Sequence, residues 1–94
     1  MNKENVSASS NNQEEIQIRG PIESRRILLE RVGKKDGLSV KSALRFVKKH
    51  NLWFGISEDV VDVLIQNDEL GYVKYDPEKK RYLLIQPNPN YQPK

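Results

Sequence analysis

Cysteine is absent from this chain of 94 residues. That excludes a disulfide framework, a thiolate metal site and a cysteine nucleophile. Histidine occurs once, as His50. A zinc site would therefore have to rest on carboxylates, outside the usual His/Cys chemistry. No apolar run approaches the roughly 20 residues of a membrane-spanning helix. The opening residues 1–12 lack the apolar stretch of a signal peptide. These absences predict a soluble intracellular protein, cytoplasmic or nucleoid-associated. The chain also has no glycine-rich phosphate loop, no Ser/His/Asp set and no metal-binding His pair. A protein without catalytic activity or cofactor is expected.

What the chain does have is charge. Sixteen Lys and Arg stand against 13 Asp and Glu, for a net charge of +3 and a pI near 9.2. That balance leans toward an anionic partner. Apolar residues make up 36% of the chain and concentrate in residues 21–86. Residues 1–20 are mostly Asn, Ser, Gln and Glu. They read as a disordered N-terminal tail, because so little apolar surface cannot offset the entropy of ordering. Residues 87–94 hold three of the five prolines and read as a flexible C-terminal tail. One small domain is expected between the tails.

Within that domain the order of elements is legible. Pro21 suits a first helical turn, where its missing N–H has no partner to lose. Ile22, Leu28, Leu29 and Val32 then recur at helical spacing, and Gly33 ends the run. Leu38 marks a short extended bridge. Ser39 is a natural N-cap for a second helix reaching about residue 50. Val40, Ala43, Leu44 and Val47 form its apolar stripe at i, i+3, i+4, i+7. Ser57 is the expected cap of a third helix, with Glu58 and Asp59 at the positive end of its dipole. Two β-rich runs follow, 72–75 and 81–86. Residues 76–80 join them, and Pro77 suits the second place of a type I turn. The fold class is α+β: three helices, then a hairpin.

The stretch 64–84 is the most telling. A helix end leads through Asn67-Asp68-Glu69-Leu70-Gly71-Tyr72-Val73 into Tyr75-Asp76-Pro77-Glu78-Lys79-Lys80-Arg81-Tyr82-Leu83-Leu84. This resembles the passage from third helix to wing in winged helix-turn-helix domains, which use a Leu-x-Gly-Tyr-Val step and a Tyr-x-Leu closing strand. The resemblance spans residues 22–85. It implies a small winged-helix domain whose relatives bind DNA or RNA or act as protein adaptors. It further implies that the third helix enters the major groove, while the second crosses the backbone and the wing touches phosphates.

The charges contradict the usual use of the third helix. Between residues 57 and 71 lie five carboxylates (Glu58, Asp59, Asp62, Asp68 and Glu69) and no Lys or Arg. A helix in the major groove is flanked by phosphates and is normally held there by basic residues. Glu58 and Asp59 complement the helix dipole. Asp68 and Glu69, at the opposite end, oppose it. The second helix is the reverse case. Lys41, Arg45, Lys48 and Lys49 share an arc of about 100° on the helical wheel. No acid lies between residues 39 and 51. The wing adds Lys79, Lys80 and Arg81. Two functions follow. One is low-specificity binding of duplex DNA, with phosphates meeting Lys41, Arg45, Lys48, Lys49, Lys79, Lys80 and Arg81. The other is an adaptor or accessory role on a larger replication or transcription protein, docked through Trp53, Phe54, Glu58, Asp59, Asp62 and Glu69.

Adjacent aromatics cannot easily point the same way, so one of Trp53 and Phe54 should pack, and Trp53 is the better candidate. Tyr72, Tyr75 and Tyr82 should pack the hairpin face. His50 reads as a helix C-terminal residue. Glu58, Asp59 and Asp62 approach one another, but they lack the interspersed glycine and carbonyl ligands of a calcium loop.

Overall fold

The computed structural model describes residues 20–93. The expected N-terminal tail, Gly20 apart, lies outside the described residues. Three helices are followed by one antiparallel hairpin: α1 (Pro21–Val32), α2 (Val40–Lys49), α3 (Ser57–Glu69), β1 (Val73–Asp76) and β2 (Arg81–Leu84). A short 3-10 turn, Pro89–Tyr91, ends the described chain.

Each helix begins for a local chemical reason. The Gly20 carbonyl accepts from the Ser24 N–H at 2.9 Å, and Pro21 occupies the first turn. Ser39 caps α2, its Oγ accepting from the Ser42 N–H at 3.2 Å. For α3 the structure moves the cap. Ile56 is the extended N-cap residue, and Ser57 is already helical. The Asp59 carboxylate reaches back to accept from the Ile56 N–H at 3.1 Å. The expected serine cap is therefore not formed, and the acid at the third helical position supplies the backward half of a capping box instead.

The linker between α1 and α2 is tied to the hairpin. Leu38 and Tyr82 exchange two backbone hydrogen bonds, of 2.9 and 2.8 Å. Gly37 makes this approach possible. Its φ is +94°, and a Cβ there would collide with the Tyr82 carbonyl oxygen and stand 2.7 Å from Leu83 Cδ2. The hairpin register pairs Val73 with Leu84, Tyr75 with Tyr82 and Asp76 with Arg81. At its tip Asp76 organises the turn. Its Oδ1 accepts from the N–H groups of Glu78 (3.0 Å) and Lys79 (3.3 Å), and its carbonyl accepts from the Lys80 N–H at 2.7 Å.

All five elements contribute to one core. Leu28, Leu29 and Val32 of α1 meet Ala43 of α2, Val60, Val63 and Leu64 of α3, and Val73 and Tyr82 of the hairpin, with Leu38 and Leu52 from the linkers. Ile22 departs from its expected stripe and stands exposed at the start of α1. Tyr75 and Tyr82, cross-strand partners, pack with ring centroids 5.0 Å apart.

The C-terminal segment corrects the sequence reading. Residues 87–93 were expected to form a flexible tail. Instead Asn88 is buried, and its Nδ2 donates to Asn67 Oδ1 at 2.8 Å. Asn67, fully buried in α3, donates from Nδ2 to the Val63 carbonyl (2.7 Å) and to the Tyr91 hydroxyl (3.1 Å). A proline-rich composition suggests an extended chain, but the two asparagines supply the polar partners that hold this one down.

Candidate nucleic-acid interface

The four α2 cations, Lys41, Arg45, Lys48 and Lys49, are all exposed. Among the described residues no ion pair joins them to a carboxylate; the pairs present are those of Arg26 with Glu23 (3.5 Å) and Glu30 (3.3 Å). The stripe does not face a single surface. Three of its members, Arg45, Lys48 and Lys49, border two different hollows, one on each flank of the helix, and Lys41 lines neither.

On the α1 side lies an open groove of about 300 Å3. Arg31, Lys35, Arg45 and Lys49 line it, with Ser42 and Phe46 on its floor and no carboxylate. Arg31 is placed there by two hydrogen bonds, its Nη1 donating to the Lys34 carbonyl at 3.4 Å and to the Gly37 carbonyl at 3.3 Å. Lys35 adopts a left-handed backbone, φ +56°, in the same linker. His50 closes the groove and stacks at a tilt on Phe46, centroids 4.4 Å apart. Arg31 and Lys35 line the groove although the sequence reading did not single them out. The signal for them was the Leu38 bridge, which fixes where the linker runs.

On the α3 side lies a larger cleft of about 510 Å3. Lys48 and Arg45 stand on its α2 wall, above Leu44, Val47, Leu52 and Phe54. Arg45 therefore forms the ridge between the two hollows.

The hairpin cations differ among themselves. Lys79 and Lys80 are exposed at the tip. Arg81 is half-buried, and its Nη1 donates to the Asp36 carbonyl at 3.3 Å. That bond ties the hairpin base to the linker carrying Lys35. Lys35 of that linker in turn shares the groove with Arg45 and Lys49 of α2.

The α3 acids also separate by role. Glu58, Asp62 and Glu69 are exposed. Asp59 is half-buried and engaged in capping. Asp68 accepts from the Tyr75 N–H at 3.0 Å, which gives this acid a structural purpose at the unfavourable end of the dipole. Glu69 has no such bond among the described residues. Because Asp59 turns to its own cap, Glu58, Asp59 and Asp62 do not converge, and among the described residues no group of three such side chains is arranged to hold a metal ion.

The aromatic pair is reversed from expectation. Trp53 is 50% exposed, although its N–H donates to the buried Ser24 Oγ at 2.7 Å. Phe54 is the one that packs, half-buried in the cleft wall beneath Arg25, whose guanidinium lies 5.6 Å from the ring centroid. Among the described residues, no helix is long and apolar enough to cross a membrane. Neither a family model, a curated protein nor a solved structure shows a significant match to the chain.

Proposed function

We propose that this protein is a non-catalytic winged helix-turn-helix protein that binds duplex DNA with low sequence specificity, through phosphates. The observation that carries the reading is the acid-free basic groove between α1 and α2, formed by Arg31, Lys35, Arg45 and Lys49. The order of three helices and a hairpin, with Leu38 bridged to the wing strand, supports the winged-helix reading. The acidic face of α3 argues against groove insertion, so the phosphate contacts come from α2, the linker and the wing. Lys41, Lys48, Lys79, Lys80 and Arg81 extend the basic surface around the groove.

The four groove cations alone, each neutralising one phosphate, contribute about −3.6 to the log–log salt slope, at about −0.9 per contact. Anisotropy titrations against two duplexes of unrelated sequence test this over a salt series. Similar affinities and a slope at least that steep are expected. Absent or salt-insensitive binding would overturn the reading.

A second reading rests on the 50% exposed Trp53 and the 61% exposed Ile56, in the turn that leads into the acidic α3. They suit an adaptor docked on a larger, basic protein of the replication or transcription machinery. Reversing Asp62 and Glu69 to lysine should abolish such docking and leave groove binding to DNA intact.

A further inference from the structure

The cleft between α2 and the start of α3 is lined differently from the groove. Its floor is apolar: Leu44, Val47, Leu52, Phe54 and Val60. Its charge is one-sided. Arg45 and Lys48 stand on the α2 wall, while Gly55, Ile56 and Ser57 form an uncharged wall opposite. No carboxylate lines it. Duplex phosphates have no use for the apolar floor. The matching ligand is an apolar ridge with acids along one flank.

The chain carries such a ridge itself, on α3. Ile65 is 44% exposed, and Val61, one turn earlier, is half-buried beside it. On the helical wheel Glu58, Asp62 and Glu69 all fall within about 60° on one side of Ile65. All three are exposed. On the other side lie Val61 and Asp68, the latter already bound to the Tyr75 N–H. One flank of the ridge is therefore acidic and available, as one wall of the cleft is basic and available.

We propose that copies of this chain associate head to tail, the Ile65 ridge of one copy seating in the α2–α3 cleft of the next. Glu58, Asp62 and Glu69 then face Arg45 and Lys48 across the joint. The ridge and the cleft are different surfaces of the same molecule, so the contact is heterologous and does not close at a dimer. An apolar helix face laid in a groove supplies the attraction, and the charges set its orientation. This does not depend on DNA binding.

The test uses the full chain without DNA, in sedimentation velocity over a rising concentration series. The parent should exceed dimer mass as concentration rises. Ile65→Lys spoils the ridge and keeps the cleft. The double change Arg45→Glu and Lys48→Glu spoils the cleft and keeps the ridge. Each variant alone should remain monomeric, with unchanged circular dichroism. Mixed in equal amounts they should form a heterodimer of twice the monomer mass that grows no further. A parent that stays monomeric, a parent that stops at a closed dimer, or a mixture that stays monomeric overturns the proposal. None of these outcomes bears on the salt-dependent DNA titration, so the two ideas fail separately.

Discussion

Replacing Asn67 with alanine should destabilise the domain by about 1.5–3.5 kcal/mol. Asn67 is fully buried in α3 and makes three side-chain hydrogen bonds, to Val63, Tyr91 and Asn88. Truncation strands the Asn88 Nδ2, which is itself in a buried residue. An unsatisfied buried donor costs about 1–3 kcal/mol. The vacated amide volume adds about 1 kcal/mol, the low end of large-to-small substitution. Alanine's better helix propensity offsets about 0.5 kcal/mol. A domain of this size has only about 4–11 kcal/mol of total stability, so the loss is easily seen. Urea unfolding, read as a change in midpoint at constant m, measures it. Asn67→Ala and Asn88→Ala should also be non-additive, since each removes the same amide–amide bond. A cost below about 0.5 kcal/mol, or additivity within about 0.5 kcal/mol, would refute the coupled network.

Three further outcomes are expected. Gly37→Ala should cost more than about 1 kcal/mol in thermal melts, because its φ of +94° disfavours a Cβ and that Cβ meets the Tyr82 carbonyl. Tyr82 ionises above its usual pKa of 10.0, through burial first, then the charges of Asp68 and Tyr75. Its folded pKa is raised, so this contribution to stability is complete below pH 10 and is lost as pH rises through the folded value; Tyr82→Phe should flatten that alkaline decline in pH-dependent urea midpoints. Lys49→Ala should reduce the DNA salt slope by about 0.9, whereas Lys74→Ala, on β1 away from the groove, should leave it unchanged in the same titration.

The helices were legible because their signals are local. Pro21, Gly33 and Ser39 each act within one turn, and the structure places α1 and α2 accordingly. The α3 cap was not legible, since the helix starts one residue earlier than Ser57 would set it, at an extended Ile56 whose N–H is taken by the Asp59 carboxylate. The C-terminal segment was missed for a longer-range reason. Its anchor, Asn88, has its partner 21 residues away, and nothing in a proline-rich run announces a buried amide pair. The four α2 cations were legible at their wheel positions. Which hollow Arg45, Lys48 and Lys49 border was not, because that depends on Leu38 pulling the linker over one flank and on the Phe54 turn opening the other.

That division of α2 sets how far the two proposed uses of its charge can conflict. Lys49 belongs to the groove and Lys48 to the cleft, and only Arg45 borders both. An acidic ridge seated in the cleft would engage Lys48 and compete for Arg45, leaving Arg31, Lys35 and Lys49 exposed to phosphate. Any antagonism between self-association and DNA binding is then limited to about one phosphate contact, and by linkage each process weakens the other by the same factor. The acids of α3 act consistently in this scheme. On the proposed reading they would repel a polyanion from α3 and would direct that helix toward the basic wall of a neighbouring copy.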